Sequence, residues 1–528
     1  MKKWMLLVLL SLSMFVVVID TTIMNVSISA LVADLNTTVV GIQSAISLYA
    51  LVMASFMLIG STLADRFGKR LTFLTGIVIF GIGTFTASLS QTLGMLVIGW
   101  SILEGLGSAL MVPNLQNLLR DRYQGKDLAF AYGIISAVSA VGAALGPIMG
   151  GYLTTFHSWR WAFRLEVLVV IAVLVLSRSI PGDRPENPPR FDVLGALLSI
   201  VGFSTMVLSI LMAQSYGVWL AKQPLVIGSL AIAPFGLSIV PFMFGGGVIT
   251  LMLLLLWERH LERHGHVGLF KPSLFQVPGL LSGFAVRFSH MGLMASFFFI
   301  LPLLLQLTFE FTAMETGVAL LPLSIAILIF AIAGARLSSR FKAKRIIQVG
   351  YILAILGLLQ LLATVQLDAA PSQLANGVVF GIGSGLIASQ ILNLILSSVD
   401  EADTTATAGL NSTFEQLGNS VGVALVGAIM LGTLLVGLQR GVAQDDVIPA
   451  DLKPTIIAGL ESRVQLVSDP QVQAALEQSP LSPEVSDRIE LIYRAERIRA
   501  FRGGMVLLIF IALLGLVLTP GLTNLKLG

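Results

Sequence analysis

Apolar residues run in stretches of about 20, the length an α-helix needs to cross the hydrocarbon of a bilayer, and short polar breaks separate them. The pattern predicts fourteen spans, near 5–27, 40–62, 72–92, 94–118, 129–154, 161–179, 192–214, 228–256, 278–306, 316–338, 347–366, 373–397, 406–437 and 502–520. The eighth is long and is broken by Pro234, Pro241 and Gly245 to Gly247. It reads either as one tilted helix with an extended end or as a helix preceded by a short re-entrant piece. The first run has the charged start of a signal peptide, but it continues through Asp20 without a small-residue cleavage site and reads as a span.

Basic residues crowd alternate breaks. Lys2 and Lys3, then Arg66, Lys69 and Arg70, then Arg120, Arg122 and Lys126 fall on one side. Arg178, Arg184 and Arg190 follow, then Arg259 and Arg263, then Arg340, Lys342, Lys344 and Arg345. The other short breaks hold only Arg160, Arg164 and Lys222. Cytoplasmic loops carry the Lys and Arg excess, so the basic side is expected in the cytoplasm, with both termini there. Residues 439–500 make one long outer loop, whose cluster of Arg494, Arg497, Arg499 and Arg502 weighs little because long loops translocate regardless of charge. Val485, Ile489, Ile492 and Tyr493 have helical spacing, which predicts a surface helix over 482–500.

Composition agrees. Charged residues are 12% of the 528 and hydrophobic ones 55%, with a mean hydropathy of +0.90; soluble domains carry about 25% charge. A net charge of +3 leaves no footprint for nucleic acid. There is no cysteine, and the five histidines are scattered. No glycine-rich loop with Lys-Ser/Thr appears, so an ion gradient rather than bound nucleotide would drive any transport. No short segment has metal-ligand spacing. No enzyme, cofactor or metal is expected.

Within the fifth span, Gly142, Gly146 and Gly150 recur every four residues, a smooth stripe that lets a second membrane helix approach to backbone contact. Pro147 removes a backbone hydrogen bond inside the span. With Gly133 and Gly151, this string resembles the fifth-helix signature of exporters of the major facilitator superfamily. An internal echo fits that resemblance. Gly60-Ser-Thr-Leu-Ala-Asp-Arg-Phe-Gly-Lys-Arg follows the second span, and Gly334-Ala-Arg-Leu-Ser-Ser-Arg-Phe-Lys-Ala-Lys follows the tenth, as in transporters built from parallel halves. The fold expected is an all-α major facilitator bundle pair: residues 1–180 form the first six-helix bundle, 181–265 two inserted helices, and 266–528 the second bundle with its outer loop at 439–500.

The loop 60–71 resembles the superfamily's loop between helices 2 and 3, which implies a cytoplasmic gate of Asp65, Arg66, Gly68, Lys69 and Arg70, with Arg120 or Arg122 as partner of the acid. Residues 18–27 resemble the first-helix motif of the fourteen-helix drug:proton antiporters, in which Asp20, Thr22 and Asn25 match cavity-facing positions. An ionisable group inside a span marks a functional site by default. Leu301 to Gln306 and Gly317 to Pro322 resemble the same family.

Three departures matter. Ser101-Ile-Leu-Glu-Gly stands where that family has an Arg, two residues, then Gln-Gly; Ser101, Glu104, Ser108 and Met111 share one helix face. Desolvation disfavours a charged Glu104 with no fixed cation beside it, which suits it to bind protons. Glu415 stands where the family commonly has a basic residue, on a face with Asn411, Gly418 and Gly422. Glu166 and Leu168 replace the usual Asn and Pro after Ser158-Trp-Arg-Trp-Ala-Phe, and Arg164 and Glu166 read as interfacial beside an aromatic belt of Trp159 and Trp161. In the ninth span, Arg287 and His290 lie three apart, with Glu104 or Glu415 as partners across the cavity.

Asp20, Glu104, Glu415 and His290 are therefore the proton-coupling candidates. Thr22, Asn25, Ser101, Ser108, Met111, Arg287, Gln306 and Asn411 are the expected cavity lining. The resemblance implies proton-coupled efflux of amphiphilic or cationic compounds across the inner membrane, by a monomer with an accessory protein left open. The alternatives are a dedicated exporter of one endogenous lipid, siderophore or metabolite, and a non-transporting membrane sensor.

Overall fold

The computed structural model describes residues 4–177, 180, 188, 190–227, 230–365, 377–400 and 403–524. Lys2, Lys3, Arg178 and Arg184 lie outside the described residues, as do the Lys126 side chain, the boundary drawn at residue 181 and the span ends at 178–179, 366 and 373–376.

Among the described residues, fourteen long helices account for the expected spans. In the first half these are α1 (Met5–Val26), α2 (Val39–Phe67), α3 (Lys69–Ser88), α4 (Leu93–Arg122), α5 (Gly125–Phe156) and α6 (Arg160–Leu176). Then come α7 (Val193–Tyr216) and α8 (Ile239–Arg263). The second half holds α9 (Leu280–Thr308), α10 (Ala313–Leu337), α11 (Ala343–Thr364), α12 (Gly377–Leu396), α13 (Thr404–Gln444) and α14 (Pro483–Leu518). Among the described residues, thirteen helices are long and apolar enough to cross a membrane; α6, at 17 residues, is the shortest of the fourteen.

Several helices outrun their apolar stretches, because a helix can continue past the hydrocarbon wherever its polar residues reach water. The segment read as a loop at 60–71 is almost all helix. Asp65 and Arg66 close α2, Lys69 and Arg70 open α3, and Gly68 alone makes the turn at φ +95°, a backbone region that glycine enters without steric cost. The eighth span is a single helix from Ile239. Ahead of it β1 (Leu225–Ile227) and β2 (Leu230–Ile232) pair antiparallel, so a small hairpin takes the place of a re-entrant helix. The basic residues at the ends of α2, α4, α8 and α10 and at the starts of α3 and α11 share one face, the basic face below.

Beyond the opposite face α13 and α14 project as continuous helices. At 1.5 Å per residue their 41 and 36 residues reach roughly 62 and 54 Å, far more than a bilayer core. The helix expected over 482–500 is the first half of α14 and not a separate element. Two short helices, Lys453–Arg463 and Asp469–Glu477, complete a cap around Val442, Ile448, Val485 and Ile489. Three arginines of the basic cluster there are paired: Arg494 and Arg497 reach Asp469 at 2.9 and 2.7 Å, Arg494 also meets Glu490 at 2.6 Å, and Arg499 meets Glu496.

The inserted helix α7 lies in the groove between α2 and α13. Val207 packs with Leu51, Ala54, Leu417 and Val421, and Ser199 donates to the Ser55 carbonyl at 3.4 Å. The outer partner α8 covers α7, with Leu251 against Gly202 and Met206 against Gly247.

Candidate functional site

The glycine stripe of α5 packs on α1 in matched register. A β-carbon at Gly142, Gly146 or Gly150 would meet Val18 at 3.3 Å, Thr22 at 1.9 Å or Val26 at 2.8 Å. Thr22 therefore faces α5, its hydroxyl donating to the Val18 and Ile19 carbonyls, and is not part of an open cavity wall. Gly133 has nothing within 4 Å. On its other side α5 meets the second half: a β-carbon at Gly151 would lie 2.5 Å from the Ala313 carbonyl, and one at Gly317 would lie 2.3 Å from the Pro147 carbonyl.

Hydrogen bonds tie the halves in the same region, towards the face opposite the basic one. Gln306 donates to the Val26 carbonyl at 2.8 Å, and Gln43 to those of Val423 and Ala424 at 2.9 and 3.3 Å. The Ser420 hydroxyl donates to the Ser47 carbonyl at 2.7 Å, and the Met314 N–H to the Thr155 hydroxyl at 3.0 Å. Gln306 is thus a tie between halves rather than a cavity group. At the basic face Lys69 pairs with Asp121 at 2.7 Å, so the ion pair formed there differs from the expected bond of Asp65 to Arg120 or Arg122. The residues expected to form a gate lie within the first half, where α2 and α4 end and α3 begins.

Three carboxyls converge inside the first half. Asp20 of α1, Glu104 of α4 and Glu166 of α6 are 1%, 0% and 4% exposed, and each offers an oxygen within 4.8 Å of the others. Trp100 Nε1 donates to Asp20 Oδ2 at 3.0 Å, and Tyr49 stacks on the Trp100 indole with centroids 5.5 Å apart. Thr84 of α3 donates to Glu166 Oε2 at 2.8 Å. The remaining oxygens, Asp20 Oδ1, Glu166 Oε1 and both of Glu104, have no hydrogen-bond partner. Glu104 ends a π-helical segment, Val97–Glu104; such widened turns inside helices often mark functional sites. Like charges this close in an apolar interior repel strongly, so protons or a small hard cation must accompany them. Oxygen donors at this spacing are also the kind such a cation takes.

Glu166 is therefore not interfacial. Arg164 and Trp161 are exposed and lie together, the guanidinium 5.0 Å from the ring centroid. Glu166 lies deeper, facing α3. Trp159 is itself buried, its indole donating to Asp34 at 3.0 Å beside the Arg160–Asp34 ion pair. Sequence reasoning missed Glu166, Trp100, Tyr49 and Thr84, because four separate helices supply them. The one signal was a Glu in a position where the resembled family has Asn.

Other expected cavity residues are helix contacts. Ser101 donates to the Ala45 carbonyl at 2.8 Å, Ser108 lies 3.2 Å from the Tyr49 hydroxyl, and Met111 sits in the core with Phe73 and Ile77. Asn25 is half-buried and donates to the Thr21 carbonyl at 3.0 Å.

In the second half Arg287 of α9 pairs with Glu415 of α13 at 2.5 Å, which selects Glu415 over Glu104 as its partner. Gly418 and Gly422 bring the two helices together, a β-carbon at Gly418 meeting the Phe288 carbonyl at 2.4 Å. His290 and Asn411 are buried beside this pair, one turn along their respective helices.

A family model described as Major Facilitator Superfamily matches residues 10–423. The multidrug transporter protein MdtP of Bacillus subtilis is 26% identical over 501 residues, 92% of this chain and 85% of that protein. The cephamycin export protein CmcT of Amycolatopsis lactamdurans is 28% identical over 426 residues, 80% and 83% of the two chains. In fold the chain is similar to a bacterial homolog of the human lysosomal transporter Spinster in its inward-facing, unoccupied conformation. The TM-score is 0.61 at 15% identity, and the match covers 99% of this chain and 98% of that one. Its two packed halves, their internal echo and the model match across most of its length together make this chain a member of the Major Facilitator Superfamily.

Proposed function

We propose that the protein exports amphiphilic, drug-like compounds from the cytoplasm in exchange for protons, by rocking its two halves about a central cavity. The observation that carries this reading is the buried trio of Asp20, Glu104 and Glu166, with four unpartnered carboxylate oxygens and, among the described residues, no basic side chain bonded to it. Such a cluster takes up and releases protons as its access to water changes. The relatives named above, a multidrug transporter and an antibiotic export protein, support the direction and the substrate class. The basic face lies in the cytoplasm on this reading, and the ties at the opposite face make the conformation open towards the cytoplasm. The protein then acts in the cytoplasmic membrane, as a monomer whose partners are the substrate and protons.

The test is uptake of fluorescent amphiphiles by energised inside-out vesicles, with and without a proton uncoupler, for the unaltered chain, Asp20→Asn and Glu104→Gln. Uncoupler-sensitive uptake that either variant loses is the expected result. Uptake that follows an imposed sodium gradient, or that survives the uncoupler, sinks the proton reading. No uptake of any amphiphile by correctly inserted protein sinks export.

A further inference from the structure

The four membrane-depth carboxyls differ in reach. Asp20, Glu104 and Glu166 are at most 4% exposed and sit behind the Tyr49–Trp100 stack, so nothing larger than a small ion touches them in this conformation. The Arg287 and Glu415 side chains are 12% and 24% exposed. They lie about 10 and 16 Å along their helices from the basic face, and charge exposed to lipid at that depth is strongly disfavoured. Their exposed surface therefore faces the water-filled space between the halves. The charge that a bulky compound meets there is one acid and one base in contact, and not an acidic excess.

We propose that the Arg287–Glu415 pair is the charge-recognition site for substrate, and that it selects amphiphiles bearing both a cationic and an anionic group. This rests on the export reading above and narrows its substrate class. A molecule with both charges exchanges ionic partners: its cation takes Glu415, its anion takes Arg287, and no charge is stranded. A simple cation that opened the pair would leave the guanidinium without its partner, and a simple anion would leave the carboxylate without its partner; parting one member of a largely buried pair is unfavourable. Arg287 Nε is buried and has no hydrogen-bond partner, and Asn411, one turn before Glu415, keeps Oδ1 unpartnered.

Equilibrium binding to the purified protein tests this independently of transport, with norfloxacin as the doubly charged probe, ethidium as the cation and carboxyfluorescein as the anion. The unaltered chain is expected to bind norfloxacin at least tenfold more tightly than either of the others. Arg287→Gln moves the preference towards ethidium and Glu415→Gln moves it towards carboxyfluorescein, while the double variant, which strands no charge and guards against misfolding, loses charge discrimination. Identical preferences in all four proteins, or equal loss of all three probes in both folded single variants, overturns the proposal. Charge-dependent binding without export by the unaltered chain upholds the site and sinks the export reading instead.

Discussion

Gly146 on α5 lies against Thr22 on α1 so closely that a single added carbon would sit 1.9 Å from the threonine hydroxyl. The contact lies within one half, whereas Gly151 and Gly317, on either side of the α5–α10 junction, are between halves. The same small-residue signature thus does two separable jobs.

Gly146→Val is expected to force α1 and α5 apart and to lower stability by about 1–3 kcal/mol, the usual cost of overpacking. Gly133→Ala, with open space around it, leaves both stability and export unchanged. Thermal unfolding of the two variants in the same detergent is the comparison; equal melting temperatures contradict the packing account.

Gly317→Leu acts on the junction. Its side chain collides with the Pro147 carbonyl only when the halves close at the face opposite the basic one, so the folded protein shifts to the conformation open on that face. Because the chain has no cysteine, single cysteines placed at Thr155 and Met314 report accessibility without background. Labelling is expected to rise in the variant, and unchanged labelling contradicts the prediction.

Glu104→Met removes a fully buried carboxyl whose two oxygens have no hydrogen-bond partner, a group that costs about 1–3 kcal/mol to bury. The variant is expected to melt at a higher temperature than the unaltered protein and yet to lose proton-driven uptake. A lower melting temperature would mean that Glu104 stabilises the fold.

Asp445 anchors the cap. Burial desolvates its carboxyl, but Arg488 and the N–H groups of Val447 and Ile448 outweigh that effect and hold it below the usual carboxylate range. The stability so gained is complete above the unfolded carboxyl's value of about 3.9 and is lost as pH falls through the lower folded value. Asp445→Asn is expected to speed proteolysis of residues 445–482 at neutral pH, with the difference from the unaltered chain closing as pH falls through the folded carboxyl's lowered value. A difference independent of pH refutes the ionic account.

Helix number, the paired halves and the glycine stripe were legible because each is local: apolar runs, loop charge and a spacing of four residues. The carboxyl trio was only half legible. Asp20 and Glu104 stand out as acids within apolar runs, but Glu166 follows Arg164 near a span end, where sequence alone cannot tell a boundary residue from a buried one. Thr22 matches a cavity-facing position in the resembled family and Met111 shares a helix face with Glu104, yet packing against α5 and α3 claims those sides here. The turn at Gly68 and the continuity of 482–500 with α14 were hidden because hydropathy marks the bilayer and not the helix ends.

The placement of α7 has a further consequence. A bundle pair has two flanks along which its halves part, and on this chain one of them, between α2 and α13, is plugged by a helix that neither half contributes. Among the described residues no further helix covers the flank between α5 and α10, where Gly151 and Gly317 let the two helices meet directly. The two flanks are thus closed by different means, one by an inserted helix and the other by direct backbone contact between the halves.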